Sequence, residues 1–411
     1  MHILFISYDG MTDPLGQSQV IPYLAGLTKY GYRFTILSCD KPDKYAAQQA
    51  DVRALLAAYP INWVSLRYHK NPPVLSSVFD YWQLRKKAAE LHQQDPFVMV
   101  HTRVGIPTLV ALWLKKKFGI KFLNDIRGFW ADERVDGGMW NLKNPLYKLI
   151  YRFFKNKEAE CLRVADYQTC LTYAAREEIH RWDFVPNQPI PVEVIPCSAD
   201  LDLFNRHNVD PLAQQRFRNE LKLEPTDRII SYLGSIGGWY LTEAMMQCCA
   251  VIAKRLPDVK FLFISPHGHD AIRAAASTAG LPLEKLIIRS AKRAEVPVLL
   301  SLSWYSLFFI KPCYSKMSSS PTKHGEIMAM GIPVITNTGV GDVEKIVRSY
   351  DAGILVSDFN TSDFEQVAEA LAANPVIDAA RIRAGAEEWY ALERAVEKYR
   401  KVYRFVVGDA R

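Results

Sequence analysis

No apolar run in this sequence is long enough to cross a bilayer. The longest, Val296 to Ile310, is broken by Pro297 and several serines, whereas a spanning helix needs roughly 20 apolar residues. The start, MHILFISYDG, carries neither a basic leader nor a small-residue cleavage site. It reads as a first strand rather than a signal peptide, and the expected compartment is the cytoplasm, with the inner membrane face as a peripheral option. The seven cysteines (Cys39, Cys161, Cys170, Cys197, Cys248, Cys249 and Cys313) show no metal-ligand spacing, and their odd number argues against a closed disulfide framework. They are expected to be reduced, buried thiols. The dinucleotide glycine fingerprint is also missing. The first strand leads into DGMTDPLGQSQ, and the second ends on Ser38, Cys39 and Asp40, a weak candidate for the acidic ribose ligand, so a nicotinamide enzyme is disfavoured. Charge of one sign is lacking too: 51 basic and 44 acidic residues leave a spread-out +7. No nucleic-acid partner is required, since an anionic membrane surface or a phosphorylated substrate accounts for the excess equally well.

What the sequence has is alternation. At 411 residues it suits two domains. Short β-rich runs separated by helical patterns occur at Ile3–Ser7, Phe34–Ser38, Ile61–Leu66, Val98–His101, Lys121–Asp125, Tyr167–Thr172 and Val192–Pro196. A second series follows at Ile229–Leu233, Val259–Ile264, Leu286–Arg289, Leu307–Lys311, Val334–Thr336 and Ile354–Val356. Such alternation predicts two doubly wound, Rossmann-like α/β domains with parallel sheets, binding ligands at the carboxyl ends of their strands. The proline-rich FVPNQPIP, Phe184–Pro191, marks a boundary or hinge region. The expected domains are residues 1–196, joined by a returning C-terminal segment 388–411, and residues 197–387. The aromatic helical pattern over Arg381–Phe405 demands a packing partner, which the first domain would supply.

The strongest functional signal is SPTKHGEIMAMGIPVI, Ser320–Ile335. Ser320 is expected to cap a helix with Pro321 at its first position, Gly331 closes it, and Pro333 stops it before a strand. Free amides in the first turn, the positive end of the helix dipole and Lys323 suit a phosphate. Glu326, on the same face, can accept from both hydroxyls of a ribose. Together these point to a nucleotide diphosphate; the competing reading is an ordinary helix with Lys323 and Glu326 as an exposed pair. The glycine-rich turn GSIGGWY (Gly234, Ser235 and Gly237 among its residues), then Lys311, Lys316, Ser318, Ser319, Ser320 and Thr322, and NTGVGD converge on the same strand ends.

In the first half, Asp13, Gly16 and Gln17 follow the first strand and suit sugar hydroxyls. Polar groups end two further strands: His101, Thr102 and Arg103, then Asp125, Arg127 and Trp130, with Asp132 and Glu133 beyond. A buried Asp125–Arg127 salt bridge is the structural alternative to a catalytic role. Asp200 and Asp202 form an Asp-x-Asp, rejected as a metal clamp because it lies at the domain junction. Trp140–Lys157 mixes aromatics with Lys143, Lys148, Arg152, Lys155 and Lys157 on a helix from about Pro145. Such a helix suits a membrane surface or a half-buried position in the first domain.

With these motifs in view, the chain resembles bacterial GT-B glycosyltransferases, in particular glycosyltransferase family 4, over nearly its whole length. DPLGQSQ, IRGFWADER, VIPCSADLDLF, YLGSIGGWY, SPTKHGEIMAMGIPVI and the terminal aromatic helix carry the likeness. The resemblance implies two domains facing across a cleft, the first binding the acceptor and the second the nucleotide sugar, with a C-terminal helix crossing back to the first. It implies transfer of a hexosyl group from a nucleotide diphosphate sugar to a hydroxyl acceptor, lipid-linked or a growing surface polysaccharide, with retained configuration and without a metal or other cofactor. Glu326 matches the ribose-binding glutamate. Ser318 stands where relatives have an earlier glutamate, and Ser235 and Tyr240 lie where relatives place an Arg and a Lys, leaving Lys323, Lys316 or Arg293 to neutralise the diphosphate. Arg127 occupies the place of a family histidine. The expected catalytic residues are therefore Arg127, Asp125, Lys323 and Glu326. Donor contacts are expected from Gly234, Ser235, Gly237, Arg293, Lys316, Ser318, Ser319, Ser320, Thr322, Lys323 and Glu326, and acceptor contacts from Asp13, Gly16, Gln17, Arg103 and Trp130. Two alternatives stay open: a nucleotide-sugar epimerase using Asp125, Asp132 or Glu133, and a non-catalytic partner that binds a nucleotide sugar.

Overall fold

The computed structural model describes residues 1–408; positions 409–411 of the expected returning segment lie outside the described residues. Among these residues the chain forms two compact units, Met1–Pro196 with the segment from Leu392 onward, and Cys197–Ala391.

The first unit is built on a parallel seven-stranded sheet. Its strands are β1 (His2–Ser7), β2 (Arg33–Asp40), β3 (Ile61–Arg67), β4 (Met99–Arg103), β5 (Lys121–Ile126), β6 (Tyr167–Cys170) and β7 (Val192–Val194), in the order β3-β2-β1-β4-β5-β6-β7. Every residue of β1 is buried, as a central parallel strand covered on both faces requires. The second unit has six parallel strands: β8 (Arg228–Leu233), β9 (Val259–Ile264), β10 (Leu286–Arg289), β11 (Ser303–Leu307), β12 (Val334–Asn337) and β13 (Gly353–Val356), in the order β10-β9-β8-β11-β12-β13. In this sheet the strand order reverses direction between β8 and β11, so the loops leaving those two strands flank the position where such sheets hold ligands.

Three expectations need correction. β11 ends at Leu307, where it was expected to begin. The apolar residues after it, Phe308 to Ile310, continue as an extended lead into the loop, tied by Asn337, whose side chain accepts from the Ile310 amide at 2.8 Å. FVPNQPIP is no boundary. It is a loop inside the first unit, where His180 pairs with the Ile190 carbonyl and Gln188 donates to Ile179. The aromatic terminal segment is not one helix either. Ala379–Trp389 belongs to the second unit and Leu392–Val407 to the first. The chain breaks between them because Tyr390 is wholly buried, with its hydroxyl against His324 at 2.9 Å, and Ala391 bridges to Ala199.

The helix Leu392–Val407 covers one face of the first sheet, burying Val396, Tyr399, Val402 and Tyr403 with Tyr23, Phe34 and Trp63. It rests closely on Ile21–Thr28, where an added Cβ at Gly26 would stand 2.5 Å from Val396.

Candidate functional site

The helix Thr322–Ala329 begins one residue later than its motif suggests. Pro321 is the N-cap, where it has no side-chain acceptor to offer. Ser320, expected as the cap, instead accepts the Cys197 amide at 3.2 Å and so anchors the start of the unit to the start of the helix. Gly331 does close the end, with φ 68°. Beneath the helix, Gly325 leaves room for Tyr390, which a Cβ would meet at 2.7 Å.

Lys323 and Glu326 are both buried, which excludes an exposed surface pair. The Lys323 ammonium stands over the Tyr240 ring, 3.7 Å from its centroid, and over Tyr232 at 4.6 Å. It also donates to the Tyr232 hydroxyl at 3.4 Å. The turn after β8 closes on the same group. Gly234, at φ 121°, takes a backbone conformation unfavourable to other residues, and a Cβ there would stand 2.8 Å from the Lys323 nitrogen. Burial among rings, with no carboxylate in direct contact, brings the Lys323 pKa down to about 7, against a partial upward pull from Glu326.

Glu326 takes a different partner. Its Oε1 accepts from Arg293 Nη1 at 2.6 Å; Arg293 comes from the loop after β10 and is half exposed. Burial pushes the Glu326 carboxyl up, while Arg293 and, more weakly, Lys323 pull it down. A second lysine sits nearby in the fold, Lys316 over the Trp239 ring at 3.7 Å. The Gly341 amide donates to the Lys316 carbonyl at 2.9 Å, joining the NTGVGD loop to this segment. Gly237 donates its amide to Thr242 at 3.2 Å, holding the glycine turn against the next helix. Ser318 is buried and donates to the Ser315 carbonyl at 2.7 Å, while Ser319 and Thr322 are partly exposed.

Of the expected donor residues, the structure thus brings Lys323 onto Gly234, Arg293 onto Glu326 and Lys316 onto the turn. Sequence reasoning missed the aromatic contribution. This turn carries Trp239 and Tyr240, each seating a lysine delivered from the segment after β11. The adjacent WY in a glycine turn, with two later lysines, was the available signal. Asp200, rejected as a metal ligand, accepts the Leu203 amide at 2.9 Å and shapes a local turn.

In the first unit, most of the expected site residues are engaged by neighbouring groups. Asp125 is buried, with Oδ1 accepting from Thr169 at 2.7 Å and Oδ2 from Tyr399 at 3.0 Å. Arg127 approaches it only to 4.0 Å, donates to Gln19 at 3.3 Å and lies over Tyr23. Nearby Arg127 holds the Asp125 carboxyl below the ordinary range against the penalty of burial. Asp125 thereby ties the helix Leu392–Val407 to the first sheet. His101 belongs to the same network, 2.8 Å from the Tyr403 hydroxyl. Arg103, expected at the acceptor, is buried and donates to the Gln19 carbonyl. Asp13 is occupied by Lys44 at 2.5 Å and Lys41 at 3.2 Å. Gly16 lies in the helix Pro14–Gln19, packed on the Gly10 carbonyl, and Trp130 packs on Phe154 under Arg134. Gln17 alone of the five is exposed, bonded to Gln48. Asp40 is saturated by Thr12, Ser38 and Ser65, so it has no capacity left for a ribose.

Comparison with known proteins adds to this geometry. Residues 213–389 match the sequence profile of the family described as glycosyl transferases group 1. A D-inositol 3-phosphate glycosyltransferase of Segniliparus rotundus is 22% identical over 306 residues, covering 72% of this chain; the match spans 62% of that relative's length. In fold, the chain is similar to sucrose-phosphate synthase from Thermosynechococcus elongatus, with TM-score 0.74, 14% identity and 98% of each chain covered. It is also similar to the Anabaena protein Alr3699/HepE in complex with UDP and glucose, with TM-score 0.69, 12% identity and coverage of 98% of this chain and 99% of the other.

Proposed function

We propose that this chain, which has the GT-B fold of glycosyltransferases and a group 1 sequence in its second unit, moves a glycosyl group from a nucleotide diphosphate sugar to a hydroxyl acceptor. The observation that carries the reading is the pairing at the mouth of the second sheet: a buried lysine on a glycine turn, one helical turn from a buried carboxylate. In this reading the diphosphate lies between the turn after β8 and the start of Thr322–Ala329. There Lys323, Lys316 and backbone amides stabilise the charge that grows as the glycosidic bond to phosphate breaks. Glu326 exchanges Arg293 for the two ribose hydroxyls. Those lysines supply the charge that a divalent cation supplies in other phosphoryl sites, so the scheme is metal-independent. Retention follows if the acceptor oxygen bonds to the sugar on the face that the phosphate leaves, with the departing phosphate taking its proton, and no side chain is then assigned as base. The acceptor we infer is lipid-linked or a growing surface polysaccharide, bound by the first unit.

An epimerase would use carboxylates near the sugar. Of the three that reading named, Asp125 is held by Thr169 and Tyr399 and Asp132 by Tyr151 at 2.8 Å and Lys155 at 2.9 Å, which leaves Glu133 as the carboxylate whose substitution tests it. Calorimetry with UDP, GDP and their sugars tests the donor assignment. The Glu326→Ala variant is expected to bind the cognate nucleotide about 10–100-fold more weakly, a loss of about 1.4–2.7 kcal/mol. Equal binding by parent and variant would remove the ribose assignment, and binding without turnover of any donor would favour a non-catalytic role.

A further inference from the structure

The first unit holds a concave cavity of about 720 Å³ that the donor chemistry does not use, walled by the helices Leu75–Gln94, Ile106–Phe118 and Pro145–Val164. Its lining is mainly apolar, with Val78, Leu109, Trp113, Leu149 and Phe153 facing it. Leu149 is 66% exposed, Val78 48% and Phe153 45%, so these side chains are held in water. Exposed apolar surface gathered in a concavity marks a binding site, and the volume falls within the roughly 300–1,000 Å³ of small-molecule pockets.

The charges around it have one predominant sign. Lys116 and Lys157 line the groove with a single acid, Glu160, and that acid is taken by Lys157 at 2.6 Å. Lys116 is exposed and forms no ion pair among the described residues. Arg85 and Lys117 cover the Trp113 ring at 4.3 and 5.1 Å, while Lys148 and Arg152 are exposed on the third helix. Lys155, which was expected on the same surface, turns inward to Asp132 and Glu158. The occupant that matches this pattern has an aliphatic body for the groove and an anionic head for unpaired ammonium groups beside it.

We propose that this groove seats the hydrocarbon chain of a phosphate-bearing lipid, the carrier of the acceptor. The carrier role rests on the glycosyltransferase reading above; the binding of the chain does not.

Titration with n-alkyl phosphates from hexyl to dodecyl, each below its critical micelle concentration, tests it through tryptophan fluorescence and calorimetry. Affinity is expected to rise by up to about fourfold per methylene. The double substitution Leu149→Asp with Phe153→Asp, at exposed positions, is expected to weaken dodecyl phosphate at least tenfold with melting temperature and UDP binding unchanged. Lys116→Glu is expected to weaken dodecyl phosphate but not dodecyl glucoside. Affinity independent of chain length, or equal in parent and double variant, would overturn the assignment. So would sedimentation with anionic phosphatidylglycerol vesicles without binding of monomeric alkyl phosphate, since the surface and not the groove would then carry the contact. A parent that is dimeric where the double variant is monomeric would give the groove to a second copy of the chain and overturn it likewise. If alkyl phosphates bind as described while no nucleotide binds the parent, the groove stands and the donor reading falls.

Discussion

Lys323 concentrates the tension of the proposed donor site in one ammonium group. Without ligand it sits among rings with a pKa near 7, against an ordinary lysine value of 10.5. A bound diphosphate supplies the missing anion and raises that value again. Binding at about pH 8 is therefore expected to take up as much as one proton, and affinity to fall by up to tenfold per pH unit above about 7 until the loaded pKa is reached. Calorimetry in buffers of different ionisation heat measures the uptake, which Lys323→Met should abolish. Stability carries the opposite sign. Below about pH 7 both folded and unfolded chains hold the proton, and the folded chain bears the cost of a buried charge; that cost fades as pH rises toward the unfolded lysine value. Lys323→Met is thus expected to be more stable than the parent at about pH 6, by about 1–2 kcal/mol in denaturant titration, while binding the nucleotide more weakly. The sequence identified Lys323 and Glu326 because helix position and charge are local properties. It did not reveal that Tyr232 and Tyr240 hold one and Arg293 the other, since the strands and loops that bring those groups in lie 33 to 91 residues away.

At the scale of elements, a close contact and a buried polar network help to hold the helix Leu392–Val407. Gly26 beneath Val396 permits the approach. Gly26→Ala is expected to destabilise the protein by about 1–3 kcal/mol in urea unfolding, and adding Val396→Ala should recover much of that loss. Tyr399→Phe removes a donor from buried Asp125 and is expected to cost about 1–3 kcal/mol, measurable the same way. Strand positions were legible because a run of buried apolar residues is needed wherever a parallel strand has both faces covered. β11 was displaced because Phe308 to Ile310, after Leu307, are more apolar than Ser303 to Ser306 before it; only pairing with β8 and β12 selects the strand. The terminal aromatic segment was read as continuous for a similar reason. Helical periodicity runs through Trp389 and Tyr390, and the break there is made by His324 and Ala199, far away in sequence.

Across the whole molecule, acid lability is built into both units. His324 is wholly buried, one ring nitrogen against Tyr390 and the other without a hydrogen-bond partner, and burial brings its pKa down to about 3. His101 is lowered by burial as well, partly opposed by Asp125. For both, the unfolded chain takes up the proton first, at its ordinary value of 6.5. Stability should therefore decline as pH falls below about 6.5, and the decline should continue toward His324's folded value. Asp125 adds a further loss near and below the ordinary carboxylate range. Melting temperatures measured from about pH 8 down to about pH 5 should show this slope, and His324→Asn should flatten part of it. No described helix is long and apolar enough to cross a membrane.

The sequence alone determined the α/β alternation, the two parallel sheets and the helix that carries Lys323 and Glu326, because each follows from periodicity, capping and turn chemistry within a few consecutive residues. Tertiary structure alone decided which neighbours engage Asp125, Arg103 and Asp13 and that Trp239 and Tyr240 seat the lysines. It also decided that three helices leave an apolar groove open. Whether a charged side chain meets a ligand or a neighbour depends on which distant groups share its low-dielectric surroundings, and only the assembled sheets and helices bring those groups together.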